Sequence, residues 1–193
     1  FRSVFEEDLQ MVGASATIRN PEEFAENLFG REVEVVECEE GRHGPIHFFM
    51  LYPKGRSSNT MLIQNLKALH RNERKTVIFG QSQQQVESLA KIARNKNIDA
   101  EVHRAGLKRE HRRRVEKQLR EGDLKTVCST PTLELGVDIG DLDAVESSIV
   151  GITRFKQRIG RIARRGQEGI AILALRDDDP ISSYYRNHPE DYF

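Results

Sequence analysis

From about residue 75 to residue 175 the apolar positions switch repeatedly between two periods. Thr76–Phe79 is a short apolar run between Lys75 and Gly80, the pattern of a strand buried on both faces. Residues 84–95 follow with Val86, Leu89, Ala90, Ile92 and Ala93 at helical spacing. The alternation continues with a strand over 99–103 and a basic helix over 108–120, in which Val115 and Leu119 stand four apart. Strands are expected over 125–129, 144–150 and 170–175, and a helix over 154–164 with Phe155, Ile159 and Ile162 on one side. Units of this kind predict a parallel sheet covered by helices on both faces. Upstream the pattern differs. Residues 32–37 and 46–52 flank a glycine-containing turn and read as a β-hairpin, and 59–71 read as a helix leading into Thr76–Phe79.

The chain has 193 residues, enough for one domain with a real core. No apolar run approaches the roughly 18–20 residues that span a bilayer, and the charged opening segment does not read as a signal peptide. The chain opens on Phe1 rather than Met, which points to a fragment. Two cysteines, Cys38 and Cys128, are too few for a disulfide framework and lack metal-ligand spacing, so no metal site is expected. Cys128, in an apolar run, reads as the buried thiol of an intracellular protein.

Net charge is zero, yet the charge is unevenly placed. Residues 104–120 carry eight basic side chains against two acids, and 154–165 carry six against none. Acids gather in 22–40 and near the C-terminus. Such separation gives a neutral protein a basic face, or simply two solvated helices.

Four stretches carry candidate chemistry. In 157–165, Arg161 and Arg164 are three apart, which on a helix puts both on one side. Gly160 beside them leaves bare backbone for close approach. Planar, permanently charged guanidinium groups suit phosphate oxygens and can stabilise charge on a transferring phosphoryl group. Residues 129–140 follow a strand. Ligands in open α/β sheets lie beyond the carboxyl ends of the strands, which expects Thr130 and Asp138 there. Ser82 follows the Thr76–Phe79 strand, and Arg104 to Gly106 follow the next; helix capping and turn formation explain these equally well.

In this order the stretches resemble superfamily-two helicases, from the end of their first RecA-like domain to the end of their second. Ser15-Ala16-Thr17 matches motif III, VIFGQS motif IV, STPTLELGVDIG motif V and QRIGRIAR motif VI. The finer resemblance is to the MrfA/Hrq type of DNA helicase, and more loosely to the Lhr type. It is carried by HRAGL with its arginine-rich helix, LELGVDIGDLDAV, the segment EEGRHGPIHFFMLYPK and the tail DDPISSYYRNHPEDYF. The resemblance implies a RecA-like α/β domain over 21–193, with 1–20 ending the first motor domain. The core would span about 60–176, and 177–193 would be a C-terminal extension.

It also implies residue roles. Arg161 and Arg164 would reach ATP phosphates, Gln157 would help sense nucleotide, and Gly136 and Asp138 would line the nucleotide cleft. Thr130, Ser82, Arg104 and Gly106 would touch the backbone of a single DNA strand, with Arg113 in support. Ser15 and Thr17 would couple the two domains. Ala163 stands where the family more often has glycine.

The sequence has neither a G-x-x-x-x-G-K-[ST] phosphate loop nor an Asp-Glu-x-His run. ATP and magnesium are therefore expected to be held mainly by an N-terminal RecA-like domain, and this stretch alone should hydrolyse no ATP. The resemblance implies a cytoplasmic or nucleoid-associated DNA-repair enzyme. An RNA helicase on the same fold, or a RecA-like module that binds without turnover, would share much of this pattern. Stimulation by DNA against RNA separates the first, and the upstream sequence the second.

Overall fold

The computed structural model describes residues 10–15, 18, 20–36, 44–134 and 137–193. The chain divides into two units, 1–41 and 42–193, so the division falls beyond the residue-20 boundary that the motif order suggests. The first unit holds α1 (Pro21–Phe29), which has proline in its first turn. It stops at Gly30, whose φ of 66° lets its N–H donate to the Glu26 carbonyl.

The second unit is built on six parallel strands in the order β1-β6-β5-β2-β4-β3. These are β1 (Ile46–Leu51), β2 (Thr76–Phe79), β3 (Ala100–His103), β4 (Thr126–Ser129), β5 (Ala144–Ser148) and β6 (Gly169–Ala174). Helices α2 (Ser58–Arg71), α3 (Gln83–Arg94), α4 (Arg109–Glu121) and α5 (Ile152–Ile159) connect them, and α6 (Pro180–Asn187) follows β6.

Alternate strand residues face opposite layers. Val77, Phe79, Val127, Val145 and Leu173 pack with Val115 and Leu119 of α4 and Phe155 of α5. Ile78, Cys128 and Ala174 pack with Leu62 and Leu66 of α2 and Val86 and Leu89 of α3. Because helices cover both faces, β2 and β4 are buried at every position, which is why they read as unbroken apolar runs. Burial in this layer pushes the Cys128 thiol up to about 12.

Two expectations need correction. The run at 46–52 is not the arm of a hairpin. It is β1, parallel to β6 at the edge of the sheet, with Ile46 opposite Gly169 and Leu51 opposite Ala174. Residues 32–36 carry no strand, and 37–43 lie outside the described residues. A period of two marks a strand with one buried face and does not say which strand it pairs with. The helix expected over 154–164 begins earlier and ends at Ile159.

The tail is part of the core. Tyr192, in a 3-10 turn after α6, is 2% exposed. Its ring lies near Phe48 of β1 and Phe155 of α5, at centroid distances of 6.4 and 5.7 Å. Its hydroxyl donates to the Val150 carbonyl at 2.7 Å.

Candidate nucleotide and nucleic-acid sites

α5 stops because Gly160 and the residues after it leave the helical ladder; Ala163 and Arg165 both take a left-handed φ of 57°. Arg161 and Arg164 therefore project from a turn and not from a helix face. The turn is pinned at the amino ends of the strands. The Arg161 carbonyl accepts from the Leu142 N–H at 3.2 Å, and the Ala163 carbonyl accepts from Gly44. Ala163 occupies a backbone region that glycine enters freely.

The Arg161 guanidinium is half-buried and turned onto the segment after β4. It donates to the Val137 carbonyl at 2.9 Å and to the Glu134 carbonyl at 3.3 Å. Burial lowers its pKa, as does the charge of Arg164, while Asp138 opposes the shift. Arg164 donates from Nε to the Gly160 carbonyl at 3.0 Å. Asp138 is exposed. It accepts from the Gly140 N–H at 3.2 Å and faces Arg120 at 3.4 Å. That backbone hydrogen bond, with Arg120 and Arg161 adding to it, holds its carboxyl below the usual carboxylate range against the opposing cost of desolvation.

The structure thus brings Arg161, Arg164 and Asp138 together. Gln157 sits half-buried near the end of α5. Gly136 lies outside the described residues, as does Thr17; Ser15 belongs to the first unit.

Asp138 is not beyond the carboxyl ends of the strands, as its place after β4 suggested. The neighbouring Asp143 accepts from the N–H of Lys75, just before β2, and Leu142 pairs with Ile162 ahead of β6. The chain returns along the sheet between Thr130 and Asp138, so the arginine cluster occupies the amino edge.

The residues expected on a nucleic-acid strand occupy the other edge. Phe79 is in register with Ser129, and Ser129 with His103, so the residues that follow stand side by side. Ser82 caps α3, accepting from the Gln85 N–H at 3.1 Å. Arg104 is tied back to α3 through Glu87 at 2.8 Å and Gln83 at 3.1 Å. Gly106 is exposed, and a side chain there would meet the Arg104 guanidinium at 2.5 Å. Thr130 is 7% exposed, with its N–H donating to the His103 carbonyl. Arg113 is exposed on α4, apart from the strand ends. At this edge a cavity of about 470 Å³ is lined by Arg56, Ser57, Asn59, Gln81, Ser82 and Arg176, among others.

Two buried groups escaped the sequence reading. Arg158 reaches Glu134, with Arg154 on the second carboxylate oxygen at 3.3 Å, and it lies 4.8 Å from the Phe79 ring centre. Glu134 thus holds Arg158 by its side chain and Arg161 by its carbonyl. The available signal was spacing: Arg158 follows the apolar Phe155 by three positions, which puts it on the inner face of α5. The second is His103, 1% exposed, with Nδ1 2.8 Å from Thr132 and Nε2 2.8 Å from Glu116. It ties α4 to the segment bearing Thr130. Burial lowers its pKa against the pull of Glu116.

A six-stranded parallel sheet with helices packed on both faces is the RecA-like fold. The chain belongs to the helicase conserved C-terminal domain family, which matches residues 57–166. It is 32% identical over 186 residues to the ATP-dependent helicase MJ1574 of Methanocaldococcus jannaschii, covering 94% of this chain and 27% of that protein. It is 30% identical over 202 residues to the ATP-dependent helicase HRQ1 of Saccharomyces cerevisiae, covering 94% and 19%. The chain therefore spans about a quarter or less of these relatives. Among solved structures, the DUF1998 helicase MrfA bound to DNA and AMPPNP superposes with a TM-score of 0.80 at 32% identity, over 93% of this chain and 27% of that one. The resemblance to the MrfA/Hrq and Lhr types is borne out.

Proposed function

We propose that this domain is the second half of an ATP-driven DNA helicase motor. The observation that carries the reading is the separation of two sites. Arg161, Arg164 and Asp138 meet at the amino edge of the sheet, while Ser82, Arg104, Gly106 and Thr130 line the carboxyl edge. The solved relative MrfA, bound to DNA and AMPPNP, supports it.

In this reading ATP lies between the amino edge and an N-terminal RecA-like domain of the same polypeptide, which holds most of the nucleotide and its magnesium. Magnesium, when bound there, neutralises part of the phosphate charge. Arg161 exchanges the carbonyls of Val137 and Glu134 for phosphate oxygens as the domains close, and Arg164 follows from the same turn. Gln157 and the Gly136–Asp138 segment face the nucleotide; an ionised, exposed carboxylate at Asp138 suits a hydroxyl donor. Ser15 and Thr17 couple the halves. At the far edge, hydroxyl, amide and guanidinium donors grip the phosphates of one DNA strand without reading its sequence. Residues 1–20 close the first motor domain and 21–193 form the second, in a cytoplasmic or nucleoid-associated protein.

The test is Arg161→Ala in the full-length protein. kcat should fall by about 10³-fold or more, as for a removed arginine finger, while single-stranded DNA binding persists. An unchanged kcat would take Arg161 out of the reaction. Stronger ATPase stimulation by RNA than by DNA would move the reading to an RNA helicase.

A further inference from the structure

We propose that the outer face of α4 is a second nucleic-acid surface, one that tracks a phosphate backbone beyond the carboxyl-edge contacts. The proposal rests on the helicase reading above. Arg109, Arg113, Lys117 and Arg120 follow one another at spacings of four, four and three. At about 100° per residue these side chains fall within an arc of about 80° and span about 17 Å of helix axis. All four are exposed.

A solvated helix face pairs its charges with acids three or four positions away. The first half of this stripe does not. Among the described residues no acid lies within ion-pair distance of Arg109 or Arg113, and Lys117 meets Glu121 only at 3.9 Å. Glu116, the acid that adjoins the stripe, is turned inward to the His103 ring at 2.8 Å. Glu110 and Glu121 border the stripe on its Lys117 side, between Lys117 and Arg114 around the helix. Arg109 and Arg113 are thus left without an acidic partner, while Lys117 meets Glu121 and Arg120 meets Asp138, in a protein whose net charge is zero.

The position fits a continuing strand. α4 starts just past the Arg104–Gly106 turn at the carboxyl edge, and its last arginine, Arg120, reaches Asp138. Over about 17 Å one strand of a duplex presents about five phosphates. Guanidinium groups match them by planar, permanent charge. The partner is the sugar–phosphate backbone of the same single strand as it continues past the Arg104–Gly106 turn.

The test compares the full-length protein with its R109Q/K117Q double variant, which leaves Arg113 and the carboxyl edge untouched. Affinity is measured across a salt series on three DNA probes: a short single strand, a long single strand, and a short strand joined to a duplex. Affinity for the short strand should not change. On the probe that reaches α4 the affinity should drop and the salt slope should shrink. Loss of two contacts reduces the slope by about 1.4 for single-stranded DNA, and a change confined to the duplex-joined probe would replace the continuing strand by a flanking duplex and overturn the proposal. Unchanged slopes on both longer probes would overturn the proposal, and short-strand binding would then leave the helicase reading standing. Failure of the unaltered protein to bind any probe would overturn both.

Discussion

Arg158 and Glu134 form an ion pair at 2.6 Å, with only 1% and 5% of their side chains exposed. The pair fastens α5 to the segment after β4, the segment whose carbonyls also receive Arg161. Burial lowers the Arg158 pKa while Glu134 pulls it back, so the partner offsets the cost of burying the guanidinium charge. Glu134→Gln leaves that cation buried and unpaired, and should destabilise the domain by about 3–5 kcal/mol. Arg158→Met should cost less, because Arg154 still reaches the Glu134 carboxylate. Denaturant unfolding of both variants checks the order, and a loss below about 1 kcal/mol in Glu134→Gln would show that the pair is not buried as described.

Ala163 gives a prediction whose sign is informative. Its φ is 57°, a region that costs a residue with a Cβ about 1–2 kcal/mol. Its methyl is buried, at 1% exposure, and burial of such a group is worth about 0.8 kcal/mol. Ala163→Gly should therefore be neutral or stabilising by up to about 1 kcal/mol, where the same change inside a helix costs up to about 1 kcal/mol. A clear fall in the unfolding midpoint would mean that 160–166 continues as helix after all.

Glu146 is fully buried on β5, and no hydrogen bond of normal geometry reaches either carboxylate oxygen. Burial raises its pKa well above the ordinary carboxyl value of 4.5, and the nearby Asn65 only partly opposes this. The folded state then holds a proton that the unfolded state releases. Stability from this group is full below the unfolded pKa and declines as pH rises from there toward the folded pKa. Glu146→Gln removes the decline. Its advantage over the parent should grow as pH rises above about 5, by at most about 1.4 kcal/mol per unit. A difference that stays flat with pH would show that Glu146 is ionised or hydrated.

The alternation of strands and helices was legible because each unit carries its own period, and β2, α2, α3, α4 and β4 lie where that period puts them. What was not legible depended on partners distant in sequence. The run 46–51 alternates as any half-buried strand does, and only β6, more than a hundred residues later, makes it parallel. Arg161 and Arg164 follow a helical pattern, yet Leu142 and Gly44 draw them into a turn. The arginines and Asp138 were visible as a motif. Glu134 was not, because an acid between two leucines gives no sign that Arg158 will cover it.

Thr130 and Asp138 stand at opposite ends of strands four to five residues long, roughly 13–17 Å apart at about 3.3 Å per residue. If these edges hold nucleotide and DNA as proposed, no single side chain can answer to both ligands. A pull delivered to the arginine turn would then reach the DNA only by swinging the whole stiff slab, like an oar whose handle and blade share one shaft. Stroke length would then be set by the geometry of the sheet, and loop variation around it would tune grip without altering reach.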